Sequence, residues 1–291
     1  MTNNGQPSQT ALMAAAARAA HLVVDAGPPL FADALAERML GERAGELLGY
    51  HRLYGDHPIL AGARAAVVTR SRYTEDLLAR PAPDGVGQYV LLGAGLDTFA
   101  CRADPARGLR VFEVDRPAMQ RWKRERLRAA GLRVPATVSF VPFDFADEEA
   151  ASLPARLAAA GLDLSRPALV GWLGVTMYLG LETVARTLTA LSALAPGSEI
   201  VLDHMLPASL RDAAGREYAD AVSAMAAEGG EPWVSCPSPE EMARLLRGAG
   251  LEPVEQLGQH EVLDGALCGR SDALRPSDLA MLARARVPAG R

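Results

Sequence analysis

Apolar residues recur at three- and four-residue intervals through the first eighty positions, then switch to short continuous or alternating runs separated by helical stretches. Ala11 to Asp25 carries Leu12, Ala16, Ala19, Leu22 and Val23 near helical spacing, and Gly27-Pro28-Pro29 stops it. Asp33 to Leu40 reads as a short helix closed by Gly41. A longer helix opens at His57-Pro58, with proline in the first turn where its missing N–H costs nothing, and runs to about Ala79 before Pro81 and Gly85 end it. Strands are then predicted at Gln88 to Leu92, Arg110 to Asp115, Thr137 to Phe143, Ala168 to Trp172 and Glu199 to Asp203. Helices at Pro117 to Ala130 and Glu182 to Ala195 fall between them. Ser238 and Glu241 have the spacing of a capping box and open a helix that Gly250 closes. Glu252 to Leu257 and Ala266 to Cys268 are the last strand candidates. Alternating helices and buried strands predict an α/β fold with a mostly parallel, doubly wound, Rossmann-like sheet. Residues 1–80 are expected to form an N-terminal helical cap within the same domain, 81–291 the core, and 207–233 a lid inserted into it.

Composition narrows the setting. The chain has 291 residues, enough for one large domain with a full core, and 49% of them are apolar. A net charge of −5, with arginines scattered among acids, offers no basic stripe for nucleic acid. No run of 18 apolar residues is present, so no membrane span is predicted, and the polar first residues do not read as a signal peptide. A cytoplasmic protein acting on a small molecule is expected. The three cysteines, Cys101, Cys236 and Cys268, have neither disulfide-framework nor zinc-ligand spacing, so no metal is expected.

The candidate chemistry gathers at strand ends. Gly93-Ala94-Gly95 follows the first strand, where glycines let the backbone turn tightly and approach a ligand. The next strand ends in Asp115, twenty residues beyond Gly95, where an acid can grip a ribose diol. The third ends in Asp144-Phe145, a carboxylate and an aromatic suited to an adenine; an acid there is as often a helix cap. A dinucleotide would need a third glycine at position 98, where threonine stands, and would meet the anion Asp97 where its phosphate belongs. S-adenosylmethionine, with no phosphate and a sulfonium and an ammonium group, suits these residues better. Arg70 falls within the apolar face of the helix from Pro58 and needs an anion, either a core acid or the carboxylate of a ligand.

These motifs resemble a known family. The run from Gln88 to Arg102, the run Val111 to Pro117 with Lys123-Arg124-Glu125, and Met177-Tyr178-Leu179 are similar to the signatures of the leucine carboxyl methyltransferase superfamily. The likeness spans residues 10 to 260, roughly, and includes the bacterial branch that contains polyketide O-methyltransferases. It implies a class I methyltransferase fold, a seven-stranded sheet with an antiparallel last strand, and a helical cap over S-adenosylmethionine. By position it implies Arg70 on the methionine carboxylate, Gly93 beside the methionine moiety, Asp115 on the ribose, and Asp144 with Phe145 on adenine. One departure stands out: the family pattern often has a glutamate, meeting the cofactor's amino group, where this chain has Leu173. The ammonium is then left to backbone carbonyls or to another acid such as Asp97. Trp172, beside it, is a candidate pocket wall or plain core.

Methyl transfer from a sulfonium is an in-line displacement that asks mainly for alignment and exclusion of water. A carboxylate acceptor needs no base at pH 7, whereas a phenol benefits from one. Tyr178 is the candidate for positioning the acceptor, and His204, after Asp203 on the fifth strand, is the best candidate base. The expected activity is O-methylation of a carboxyl, or secondarily a phenolic hydroxyl, of a small specialised metabolite. The alternatives are a cofactor-binding scaffold that has lost methyl transfer, which Leu173 keeps open, and an NAD-dependent oxidoreductase, which Asp97 and the missing glycine disfavour.

Overall fold

The computed structural model describes residues 8–80, 87–104, 108–267 and 270–289. Seven strands form one sheet: β1 (Gln88–Leu92), β2 (Arg110–Asp115), β3 (Val138–Pro142), β4 (Leu169–Trp172), β5 (Glu199–Met205), β6 (Glu252–Gly258) and β7 (Ala280–Arg286). Their order is β3-β2-β1-β4-β5-β7-β6, with β3 through β5 parallel and β7 antiparallel to both its neighbours. This is the class I methyltransferase sheet. The order in which the strands are added reverses between β1 and β4, and the crevice outside the carboxyl ends of those two parallel strands is where α/β sheets of this kind bind ligands.

Eleven helices are described: α1 (Gln9–Val24), α2 (Ala36–Leu40), α3 (Ala44–Tyr54), α4 (Pro58–Ala79), α5 (Phe99–Arg102), α6 (Pro117–Ala129), α7 (Leu153–Ala159), α8 (Leu181–Leu191), α9 (Ala213–Glu228), α10 (Pro239–Gly248) and α11 (Gln259–Val262). The two faces of the sheet bury different partners. Val90, Leu92, Val114, Val170, Trp172, Ile200 and Leu202 pack with α7, α8 and α10. Tyr89, Leu91, Val111, Leu169 and Val201 face the other way, against Leu77 and Leu78 of α4 and Phe99 and Ala100 of α5. A satellite core joins α1, α2 and α3 to α6 through Leu12, Met39, Leu48, Met119 and Leu127. The described residues 8–80 are mainly helical, with α1 on α4, and α9 lies within the 207–233 segment, with Tyr218 against Gly62 of α4. The helix α10 carries the expected capping box: Ser238 Oγ accepts from Glu241 N–H and Glu241 Oε2 accepts from Ser238 N–H.

Two expectations change. Residues 266–267 lie in a turn, Cys268 is outside the described residues, and the last strand is β7, a dozen residues further on. Its arginines made it look polar, yet Arg284 reaches Glu199 and Glu255 and Arg286 reaches Glu199, so the charges are paired along the sheet. The helix α3 was not anticipated, because Gly45 and Gly49 interrupt it and Tyr50, Leu53 and Tyr54 leave apolar surface exposed. The residues 81–85, expected to end α4, lie outside the described residues apart from the helix end itself, which falls at Ala79.

Candidate active site

The glycine turn after β1 is fixed from both sides. Gly93 and Ala94 donate to the Val114 carbonyl, and Gly95 N–H donates to Asp115 Oδ2 at 2.7 Å. Asp115 Oδ1 accepts from Arg116 N–H at 2.8 Å, so each carboxylate oxygen keeps a lone pair beyond those bonds. Burial raises the Asp115 carboxyl against the lowering effect of those two N–H groups. Below it, Glu113 and Lys123 form a buried pair at 2.6 Å, and burial still raises the Glu113 carboxyl despite its partner. Gly93 holds φ +67°, and a Cβ built on it would come within 2.4 Å of Val175 Cγ2 in the loop after β4. The turn and that loop are therefore in direct contact, with the Val175 side chain in the place that a Cβ on Gly93 would take.

The helical cap is tied to the same turn. Arg18 of α1 donates to the Leu96 carbonyl at 2.7 Å and to Asp33 at 2.8 Å. Thr98 donates to Asp33, and Arg102 joins Thr98 to Glu75 of α4. Burial alone would raise the Asp33 carboxyl; Arg18, Arg102 and Thr98 outweigh it and hold it below its ordinary value. This network was not visible in the sequence, since its bonded partners lie up to 78 positions apart.

The remaining candidates divide. Arg70, from α4, donates through Nη1 to Asp203 Oδ2 at 3.1 Å, and Asp203 Oδ1 accepts from Gly174 N–H at 2.6 Å. The core acid that meets Arg70 is Asp203, which sequence reasoning had not singled out for a role. Gly174 has φ +70°, and the guanidinium lies 2.5–2.9 Å from where its Cβ would stand, so only glycine admits Arg70 at that place. Asp97 sits beside the turn but spends Oδ1 on Phe99 N–H at 2.7 Å, an Asx turn that leads into α5. Asp144 accepts from Ala146 N–H through Oδ1, and Phe145 packs edge-on to Phe143 and tilted over Trp172, with centroids 5.2 and 5.6 Å apart. Trp172 is fully buried beneath Phe145; its indole N–H has no partner. It supports the aromatic floor from within the core.

His204 is the candidate that the structure removes from the site. Alternation along β5 turns Val201, Asp203 and Met205 toward the cap, and Ile200, Leu202 and His204 toward α10. The imidazole is buried, with Nδ1 on the Pro237 carbonyl at 3.1 Å, and burial lowers its pKa. A base for the acceptor is not available there. Tyr178 lies on the other side with Tyr218, Trp233, Met177 and Met205, under the α9 segment. Thr10 of α1 donates to Glu231 at 2.6 Å and closes that cluster from above. Burial pushes the Tyr178 phenol up and the Tyr218 phenol up to about 12, so both carry their protons at neutral pH. Away from this crevice, ligand-type atoms of Asp212, His260 and Asp278 come within 4.8 Å of one another on the surface.

Comparison with known proteins bears on this crevice. The family model for leucine carboxyl methyltransferase matches residues 11–192. A Bacillus subtilis (strain 168) protein, provisionally assigned as an S-adenosyl-L-methionine-dependent methyltransferase, is 31% identical over 92% of this chain and 94% of its own. A Mycolicibacterium smegmatis protein of the same provisional assignment is 34% identical over 68% of this chain and 67% of its own. Among solved structures, a provisionally assigned methyltransferase from Thermobifida fusca superposes with TM-score 0.60 at 20% identity, covering 99% of this chain and 97% of that one, a likeness of fold. With the glycine turn, Asp115 and Arg70 assembled at the crevice, these matches make the chain a member of the leucine carboxyl methyltransferase family, class I enzymes that use S-adenosylmethionine.

Proposed function

We propose that the protein transfers the methyl group of S-adenosylmethionine to an oxygen of a small specialised metabolite, and that this oxygen belongs to a carboxylate. The observation that carries this reading is the donor-rich cluster of Tyr178, Tyr218 and Trp233 under the α9 segment. Tyr178 and Tyr218 hold their protons, the Trp233 indole packs beside Tyr178 in the same cluster, and the Arg70 guanidinium, paired with Asp203, acts on both phenols. Donors of that kind bind and orient an anion. They do little for a neutral phenol, which needs a base, and His204 faces the wrong side of the sheet.

The residues present fit the cofactor. Asp115 at the glycine turn has acceptor capacity for a diol; Asp144 and Phe145 follow β3 at the same edge of the sheet; Arg70 suits a carboxylate. When bound, S-adenosylmethionine supplies an electrophilic methyl on a sulfonium. The protein's own part is alignment: Tyr178 and Trp233 orient the acceptor carboxylate, and α1 with the α9 segment, joined by Thr10 and Glu231, excludes water.

The test exploits the lability of esters. The chain is incubated with methyl-labelled S-adenosylmethionine and matched panels of small carboxylic acids and phenols, and products are treated with mild alkali. Release of labelled methanol from acid-panel products is expected. Alkali-stable label confined to the phenols would overturn the carboxylate assignment.

A further inference from the structure

We propose that Asp203 is the carboxylate that receives the ammonium group of the cofactor's amino-acid end, the role left open by Leu173. The inference rests on the cofactor reading above. Three elements meet at this point: α4 brings Arg70, β5 brings Asp203, and the loop after β4 brings Gly174. Asp203 bonds Arg70 Nη1 at 3.1 Å and Gly174 N–H at 2.6 Å, with its side chain 5% exposed and that of Arg70 18% exposed. The pair meets Gly174, which stands between Leu173 and Val175, and Val175 touches the Gly93 turn.

The other acids near the turn are committed to backbone. Asp115 serves Gly95 and Arg116, and Asp97 accepts from Phe99 N–H. Asp203 alone among these three already holds a cation through one oxygen while the other is anchored by Gly174. A zwitterionic amino-acid end can therefore enter by exchange of partners. Its carboxylate takes the Arg70 guanidinium, and its ammonium takes the Asp203 oxygen that Arg70 releases. Every charge keeps an opposite partner, so no half-buried charge is stranded. Gly174 N–H holds the Asp203 carboxylate in place throughout, which makes the acceptor oxygen preorganised.

Two ligands separate this role from a structural one. S-adenosylhomocysteine carries the amino-acid end, and 5′-methylthioadenosine lacks it but keeps the nucleoside. Asp203→Asn preserves shape and the acceptor for Gly174 N–H while removing the charge. Calorimetric titration of the purified full chain should show the variant binding S-adenosylhomocysteine at least tenfold more weakly than wild type, with 5′-methylthioadenosine affinity within twofold. An equal loss for both ligands would mean that Asp203 only supports the fold, and an unchanged S-adenosylhomocysteine affinity would mean that its charge is not used; either overturns the inference while leaving the cofactor reading intact. Wild-type chain binding neither ligand would overturn both.

Discussion

Substituting Gly93 by alanine tests the crevice geometry quantitatively. Two costs are expected. The first is conformational: φ +67° is unfavourable for any residue with a Cβ, by about 1–2 kcal/mol. The second is steric: the new Cβ would stand 2.4 Å from Val175 Cγ2 and must push it, an overpacking cost of about 1–3 kcal/mol. Gly197 isolates the first, since it has φ +83° and its nearest neighbour would be Pro167 Cγ at an ordinary 3.8 Å. Gly197→Ala should therefore cost about 1–2 kcal/mol and Gly93→Ala about 2–5 kcal/mol. Urea denaturation of wild type, both single variants, Val175→Ala and the Gly93→Ala/Val175→Ala pair completes a double-mutant cycle. Removing the valine methyls should return the Gly93→Ala penalty to the Gly197→Ala level, a coupling of about 1–3 kcal/mol. If the penalty is the same in both backgrounds, Gly93 and Val175 do not oppose each other and the crevice is not built as described.

Three further expectations follow from other parts of the molecule. His51 is buried against Arg64, and burial with that charge lowers its pKa from 6.5 to about 4; the folded state refuses a proton that the unfolded state accepts, so stability is full above pH 6.5 and falls as pH drops toward 4. At pH 4.5 the loss from this residue is about 2–3 kcal/mol, and His51→Gln should flatten the pH dependence of the urea midpoint by that amount. Lys123→Met strands Glu113 and should cost about 3 kcal/mol at pH 7.5, most of it recovered in the Glu113→Leu/Lys123→Met pair. Because Glu113 would then titrate higher in the folded chain than in the unfolded one, the Lys123→Met deficit should shrink as pH falls toward 5 in urea melts; a deficit that grows would contradict the pairing. Tyr178→Phe should lower kcat/KM for a carboxylate acceptor about tenfold, the worth of one hydrogen bond to an anion, and leave S-adenosylhomocysteine affinity unchanged by calorimetry.

The parts of the site legible in the sequence are those whose logic is local. Gly93, Gly95 and Asp115 belong to adjacent strands of one βαβ unit, so their contact follows from spacing alone. The capping box at Ser238 and the proline at the start of α4 are likewise rules within one turn. Arg70 was recognisable as a cation on a buried face, but its partner lies 133 positions away, and nothing in a single sequence pairs them. The strand β7 was hidden for a related reason: Arg284 reads as surface until Glu199 and Glu255 are seen beside it.

Asp203 and His204 show most sharply what a strand end leaves open. A strand buried on only one face announces its sidedness, because polar residues mark the wet side. The strand β5 is buried on both faces from Ile200 to Met205, so neighbours of similar polarity compete for the same role with no pattern to choose between them. The choice is made by register: Asp203 opposite Leu282 and His204 opposite Met281 on β7 point to opposite sides of the sheet. One of them thereby joins Arg70 and Gly174 at the crevice, and the other is sealed under α10 against Pro237. The difference decides the chemistry, since a charged carboxylate at the crevice favours a zwitterionic cofactor whereas an imidazole there would have favoured a proton-bearing acceptor.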